Sequence, residues 1–359
     1  MSILLFLLIL SILVLVHEFG HFIAAKRSGV LVEEFGIGFP PRLLSIKIKE
    51  TIYSINLIPL GGFVKLYGEE YQELSRKSKV KSQKLKNKAF AYKNPWQKIL
   101  IIVAGVVGNF LLGWFLISYL FTQGVPTPAN RVIVEKVQDK SPAKIANLQP
   151  KDAIYALKVN QKIYPIKTST DLITLTKKYG GERIILYVER GKEKFQTTII
   201  PRKNPPKNEG PLGIIITSFV EKKYPWYQAP YYGLIHAATI TQKIISELIK
   251  TLIQIVSFQK PSVDVAGPIG IARFTSEAAK FGKNAVLELM ALLSLNLAVV
   301  NLLPFPALDG GRLIFALYEL ITRKRINKKL ESYLNLFGFI FLITIAILVS
   351  INDILKIYR

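Results

Sequence analysis

Residues 3–25 have the sequence ILLFLLILSILVLVHEFGHFIAA, an apolar run that contains a His-Glu-x-x-His motif near its end. Residues 3–16 carry no charge, and a helix over 3–25 would extend roughly 34 Å, about the thickness of bilayer hydrocarbon. His17 and His21 are four residues apart, so they share one face of that helix. This spacing lets two imidazoles bind one zinc ion, with Glu18 within reach of a water ligand. The sequence therefore predicts a metal site inside a membrane.

Ionisable side chains inside a spanning helix are costly, at about 2.5–3.5 kcal/mol for a central charge. Three such residues within five positions, His17, Glu18 and His21, therefore need an explanation. A purely structural role offers no compensation for the cost, whereas metal catalysis needs all three. The motif consequently favours catalysis.

The composition indicates a membrane protein with a sizeable aqueous part. The chain has 359 residues, of which 50% are hydrophobic and 20% charged, and its mean hydropathy is +0.31. It has no cysteine, so a metal must be held by His, Asp or Glu. The net charge of +24 comes from dispersed lysines without a nucleic-acid motif. We therefore expect contact with anionic lipid headgroups and no nucleic-acid partner.

Four apolar segments, at 3–25, 98–121, 285–303 and 333–351, predict four transmembrane helices. The connection 26–98 carries 15 Lys and Arg against six Asp and Glu, and residues 322–329 are also basic. The positive-inside rule places both connections in the cytoplasm. Both termini and the long middle region would then be extracytoplasmic.

Short segments between 33 and 67 alternate in the manner of β-strands, interrupted by Pro59 and by Gly61-Gly62. They predict a small antiparallel sheet at membrane depth beside the metal site. An unpaired edge of this sheet is tolerable at membrane depth only if protein covers it or if it faces a water-filled cavity. An ordinary surface hairpin is the alternative.

Residues 130–203 predict a small domain of strands and two helices. Its order is Ser141-Pro142-Ala143, then a strand from Asp152, a helix over 171–179 and a hairpin around Arg190-Gly191-Lys192. This order resembles a PDZ domain of the bacterial protease type, which implies an α+β fold and possible contact with a peptide or substrate.

A catalytic zinc site normally has three protein ligands, so one is still missing. Asp309 is the candidate, because it follows the third span in a stretch that Pro304 and Pro306 keep from being regular helix. A carboxylate beside broken backbone in a membrane indicates a functional site. Asp309 could instead cap the helix that begins at Gly310-Gly311.

The motifs together resemble the site-2 protease family of intramembrane zinc metalloproteases, specifically the bacterial regulator-of-sigma-E protease type. Besides His-Glu-x-x-His, they are Pro59-Leu60-Gly61-Gly62-Phe63-Val64-Lys65, the PDZ-like domain, Gly267-Pro268-Ile269-Gly270-Ile271, and Asn301-Leu302-Leu303-Pro304-Phe305-Pro306-Ala307-Leu308-Asp309-Gly310-Gly311. The resemblance implies that His17, His21 and Asp309 bind Zn²⁺ and that Glu18 is the catalytic glutamate. It also implies that Asn301 and the Gly61-Gly62 segment hold the substrate backbone.

The resemblance further implies a multi-pass protein of the bacterial cytoplasmic membrane. Its expected substrates are single-span membrane proteins, such as anti-sigma factors or signal-peptide remnants. A zinc-binding scaffold that presents its PDZ-like domain without proteolysis is the alternative, although it has no use for Glu18. A metal transporter is a third reading, but it would need ionisable residues in several spans.

The expected architecture is an α-helical polytopic membrane protein with a small membrane-associated β-sheet and one extracytoplasmic PDZ-like α+β domain. Its predicted regions are 1–25 (first span), 26–97 (β region and basic loop), 98–122 (second span), 123–218 (PDZ-like domain), 219–284 (interfacial helical linker), 285–321 (third span and Leu-Asp-Gly motif) and 322–359 (basic loop and fourth span).

Overall fold

The computed structural model describes residues 2–69, 83–206, 209–257, 259, 266–324 and 326–357. The chain divides into two compact units, of which the first comprises Met1–Leu120 and Trp226–Arg359 and the second Phe121–Pro225. Part of the basic stretch within the predicted loop 26–97, and Arg325 in the later basic loop, lie outside the described residues.

Ten α-helices, one short 3-10 helix (Phe90–Tyr92) and eight strands are described. The helices are α1 (Ser2–Arg27), α2 (Gln83–Asn87), α3 (Pro95–Gln123), α4 (Pro142–Ile145), α5 (Ser169–Lys178), α6 (Ala229–Val256), α7 (Pro268–Lys280), α8 (Lys283–Leu302), α9 (Asp309–Thr322) and α10 (Lys328–Ile357). The strands are β1 (Val32–Ile48), β2 (Thr51–Leu66), β3 (Val125–Val137), β4 (Ala153–Val159), β5 (Lys162–Pro165), β6 (Ile184–Arg190), β7 (Glu193–Ile199) and β8 (Ile214–Lys222).

Four of these helices, α1, α3, α8 and α10, are long and apolar enough to cross a membrane. They confirm the four apolar helices predicted from the sequence. Their ends extend beyond the apolar runs; α10, for example, covers Lys328–Ile357 where the hydropathy pattern predicts 333–351. Charged side chains at helix ends can reach the headgroup region, so an apolar run underestimates the length of its helix.

Small residues bring the backbones of α1 and α3 into direct contact. A Cβ atom on Gly108 of α3 would lie 2.9 Å from the carbonyl oxygen of Val16, and one on Gly20 of α1 would collide with the carbonyl of Ala104. Such close approach is a recurrent way of packing helices in lipid, where apolar burial supplies little driving force. It places the motif of α1 directly against α3.

Strands β1 and β2 form one long antiparallel hairpin that folds back on itself. Pairing runs from Ile48 opposite Thr51 back to Glu34 opposite Lys65, and Phe35 has both Val64 and Tyr53 as neighbours. The first part of β1, around Phe35, therefore lies between two parts of β2. The sequence predicts short segments here, because proline and glycine interrupt the alternation. In the structure those interruptions are bends within two long strands.

The second unit has its own core beneath a sheet with the strand order β7-β6-β4-β3-β8, while β5 pairs with β4. Fourteen buried apolar side chains form this core, among them Val132, Ile154, Leu157, Leu172 and Leu186. The predicted helices and hairpin occur in the expected order as α4, α5 and β6–β7. The assignment of this unit as PDZ-like stays a prediction.

Candidate metal centre

The structure brings three of the predicted site residues into one cluster. His17 Nε2 lies 2.9 Å from Asp309 Oδ2, and His21 Nε2 lies 3.1 Å from the same oxygen. The two Nε2 atoms are 3.1 Å apart. Among the described residues, these three form the group of His, Asp and Glu side chains that could hold a metal ion.

The arrangement of these atoms fits a zinc ion. Ligand atoms about 2.0–2.1 Å from a tetrahedral zinc are separated by roughly 3.3 Å, close to the three distances observed. Asp309 Oδ2 is buried, and no described residue donates a hydrogen bond to it. When both Nε2 atoms are unprotonated, the three atoms direct lone pairs at one another and repel unless a cation lies between them. The donor set thus suits a divalent metal.

The tautomer of His21 supports the same conclusion. Its Nδ1 lies 2.8 Å from the carbonyl oxygen of Ile101 on α3. Because a carbonyl can only accept, Nδ1 carries the proton and the lone pair of the neutral ring is on Nε2, towards the cluster. A metal-binding histidine characteristically donates its other nitrogen in this way.

Asp309 is held at the cluster by the backbone around it. It is the first residue of α9 and follows the turn that contains Pro304 and Pro306. A Cβ atom on Gly311 would lie 2.5 Å from the carbonyl oxygen of Phe305, and one on Gly310 would collide with that of Leu303. The glycine pair is therefore needed for α9 to begin folded closely over the turn, with Asp309 directed at the histidines.

Glu18 lies on α1 between the two histidines and contacts the hairpin. Its Oε2 accepts a hydrogen bond of 3.0 Å from the backbone N–H of Val64 in β2. It is also close enough to interact electrostatically with His17, His21 and Asp309. A carboxylate in this position can exchange a proton with a group at the cluster.

The predicted substrate-binding residues lie beside α1, at His17 or on the turns that precede it. Asn301 Nδ2 is 3.5 Å from His17 Nε2. Gly61 N donates a 3.3 Å hydrogen bond to Ser11 Oγ, and a Cβ atom on Gly61 would lie 2.8 Å from Val14 Cγ1. A Cβ atom on Gly62 would lie 2.8 Å from the carbonyl oxygen of Gly36. Both glycines therefore have a packing role, and their contact with substrate remains a prediction.

Besides Ile101, two residues of α3 contact the histidines, and sequence reasoning did not assign either to the site. A Cβ atom on Gly105 would collide with His21 Nε2 and lie 2.8 Å from His17 Cε1. The buried amide of Asn109 lies with its Nδ2 3.3 Å from His17 Nδ1. The available signal was an amide inside an apolar span, which by itself indicates a functional position.

The chain is similar to known metalloproteases. The model of the family described as peptidase family M50 matches residues 5–345. The chain is 30% identical over 426 residues to the zinc metalloprotease RasP of Bacillus licheniformis, covering 98% of each chain. It is 28% identical over 424 residues to the regulator of sigma-W protease RasP of Bacillus subtilis, again covering 98% of each.

Proposed function

The chain belongs to peptidase family M50 and is a zinc metalloprotease of the site-2 protease type, and we propose that it cleaves membrane-spanning segments of single-span membrane proteins. One observation carries this proposal: His17, Glu18 and His21 lie within α1, a helix able to span the bilayer. A protease whose reacting groups are at membrane depth can reach only bonds at that depth. Soluble proteins are consequently poor substrates.

We assign the zinc ligands to His17, His21 and Asp309, on the basis of their mutual distances of 2.9–3.1 Å. When bound, zinc polarises the scissile carbonyl and lowers the pKa of a water ligand. Glu18 accepts the proton of the attacking water and returns it to the leaving amine. Its hydrogen bond to Val64 N keeps the carboxylate oriented before reaction.

A helical substrate has its carbonyls in hydrogen bonds, so it must unwind before it can be cut. The exposed amides are expensive to leave unpaired in an apolar site. Asn301, beside His17, can donate to and accept from such a backbone. The sheet near Gly61 and Gly62 offers strand pairing as a replacement for the lost helical bonds.

The topology follows from the basic connections. We place the two termini and the PDZ-like unit outside the bacterial cytoplasmic membrane, with residues 26–97 and the loop near 322–329 in the cytoplasm. In that unit β8 is an edge strand, and Ser169 N at the start of α5 donates a 2.6 Å hydrogen bond to Ser218 Oγ in β8. An extended peptide could add to this edge.

Two kinds of single-span protein suit this site as substrates. The name of the Bacillus subtilis relative refers to regulation of sigma-W, which makes an anti-sigma factor one suitable substrate. Remnants of signal peptides are another. Comparing the membrane proteomes of wild-type and Glu18→Gln cells would identify the natural substrates as single-span proteins that accumulate uncut.

The decisive experiment separates metal binding from catalysis in purified protein. We expect Glu18→Gln to abolish cleavage of a single-span substrate while one zinc per chain is retained. We expect Asp309→Ala to lose both activity and zinc, because two histidines alone bind zinc weakly. Full zinc occupancy in Asp309→Ala would disprove its assignment as a ligand, and an active Glu18→Gln would disprove the catalytic assignment.

A further inference from the structure

A cavity of about 210 Å³ lies in the first unit between α1, α7 and α8. Its walls are almost entirely apolar and include Phe6, Leu10 and Leu13 of α1, Ile271 of α7, and Val300 of α8. The exception is Asn296 of α8, an exposed residue whose amide makes no hydrogen bond to a described residue. A lone amide in an apolar wall suits an occupant that carries a backbone polar group.

The cavity begins about one helical turn along α1 from the metal centre. Leu13 is one helical turn from His17, and Val300 adjoins Asn301. At 1.5 Å per residue, the cavity extends along α1 from about 6 Å to about 16 Å from His17, that is, from Leu13 to Phe6. An extended chain at about 3.3 Å per residue covers this distance in roughly two to five residues. Anything in the cavity is therefore close to the scissile bond.

A buried carboxylate holds the start of α7, which forms one side of the cavity. Asp353 of α10 accepts hydrogen bonds of 2.9 Å from the backbone N–H groups of Gly267 and Gly270. These bonds satisfy amides that the first turn of a helix leaves unpaired. Pro268 and Ile271, which line the cavity, are thereby held in place. The cavity is larger than an engineered cavity of about 150 Å³ that admits benzene, so an apolar side chain can enter it.

Building on the proposed function, we propose that this cavity is a specificity subsite. It receives bulky apolar side chains of the substrate's spanning segment, two to five residues to one side of the scissile bond. Asn296 bonds a backbone group that unwinding exposes. Lipid tails are as apolar as leucine, so burial alone does not select the occupant. Selection comes from shape, which makes side-chain size the property to test.

The test pairs two tryptophan variants with two substrates. Leu10→Trp fills the cavity, whereas the matched control Leu8→Trp lies on the exposed side of the same helix, where Leu8 is 55% exposed. One substrate has leucine, and the other alanine, at the positions two to five residues from the scissile bond. We expect Leu10→Trp to lower kcat/KM about tenfold or more for the leucine substrate. The alanine substrate should recover most of that loss, and Leu8→Trp should affect neither substrate.

The two leucine positions test the subsite, whereas Glu18→Gln tests proteolysis itself. If Leu10→Trp and Leu8→Trp behave alike on both substrates, the cavity holds only lipid and the subsite is wrong. Cleavage by the wild type and its loss in Glu18→Gln would still support intramembrane proteolysis.

Cross-linking provides a test that does not depend on a folded tryptophan variant. The chain has no cysteine, so a single Leu10→Cys in a Glu18→Gln background can be paired with single cysteines along the substrate. Disulfides should form only with positions two to five residues from the scissile bond on one side, and not with Leu8→Cys. Equal or absent cross-linking from both enzyme positions would overturn the proposal.

Discussion

At the scale of single residues, the candidate metal centre includes side chains that touch the histidines as well as the three proposed ligands. Ile101 O fixes the proton of His21 on Nδ1. Gly105 leaves the space into which both imidazoles fit. Asn109 lies beside Nδ1 of His17. All three belong to α3, so the second span forms one wall of the site that the first span carries.

Gly105→Ala should weaken zinc binding. The added methyl group would collide with His21 and lie within 2.8 Å of His17 Cε1, so both rings must move. We expect at least a tenfold loss of zinc affinity and of activity, measured by competition with a chelator and by initial rates. Val107→Ala on the exposed side of the same helix is the matched control. Normal zinc affinity in Gly105→Ala would show that the rings have room to shift.

Asn109 should position His17 through an acceptor at Nδ1. In the structure Nδ2 faces that nitrogen and the buried Oδ1 makes no hydrogen bond to a described residue. Turning the amide over brings Oδ1 to Nδ1, where it holds the proton and leaves the Nε2 lone pair for the metal. Asn109→Leu removes the acceptor, and we expect a 10- to 100-fold loss of zinc affinity. Asn109→Asp keeps an acceptor and should retain most binding. Equal zinc affinity in the leucine and aspartate variants would exclude this role.

The sequence predicts the residues that the structure brings together in the cluster, but not the residues that support them. His17, Glu18 and His21 follow from spacing within one helix, and Asp309 from the prolines before it. Gly105 and Asn109 are more than eighty residues away from His17 along the chain. Their position depends on how α3 rotates against α1, which a hydropathy pattern does not specify. The same pattern does not specify which glycine of this span faces the histidines.

At the scale of elements, the ends of helices are held by charged pairs. Lys98, near the start of α3, is buried and forms a 2.6 Å ion pair with Glu319 of α9. Arg312, also on α9, forms a 2.6 Å pair with Glu69. The helix that begins with Asp309 is therefore tied to α3 and to the chain that follows β2. These pairs connect residues more than 200 positions apart, so sequence periodicity could not predict them.

Breaking the Lys98–Glu319 pair should destabilise the protein. Both side chains are largely buried, at 9% and 16% exposure, and removing one partner from such a pair typically costs about 3–5 kcal/mol. We expect Lys98→Met to lower the free energy of unfolding in mixed micelles by about that amount. The double variant Lys98→Met/Glu319→Leu should recover much of the loss. If the double variant is less stable than either single variant, the pair is not the source of the effect.

The hairpin of β1 and β2 likewise contains contacts that sequence periodicity could not predict. Alternation predicted β-structure at 33–67, and the structure confirms it. The second neighbour of Phe35, Tyr53, arises only because the hairpin bends and folds back. Gly38, with φ of +77°, lies at this bend, and a Cβ atom there would be 2.5 Å from the carbonyl oxygen of Ile58. Local sequence marks the bend as an interruption without revealing the new pairing.

At the scale of the whole molecule, the second unit has the features of an insertion. Its two ends are adjacent, because Phe121 O accepts a 2.9 Å hydrogen bond from Tyr224 N and Val125 pairs with Lys222. Its core is made of its own residues. Adjacent ends and a separate core are what allow a domain to be inserted into, or removed from, another chain.

Replacing Phe121–Pro225 by a short Gly/Ser linker should therefore leave the chemistry intact, because His17, Glu18, His21 and Asp309 all belong to the first unit. We propose that the second unit restricts substrates by the size of their extracytoplasmic part. The shortened protein should bind one zinc, cut a substrate with a short ectodomain at a rate within about threefold of wild type, and newly accept longer ones. Initial rates for matched substrates that differ only in ectodomain length would measure this, with Glu18→Gln in the shortened chain as the control. A shortened protein that binds zinc yet cuts neither substrate would mean that the second unit takes part in substrate binding, while unchanged discrimination by length would mean that the first unit itself sets the size limit.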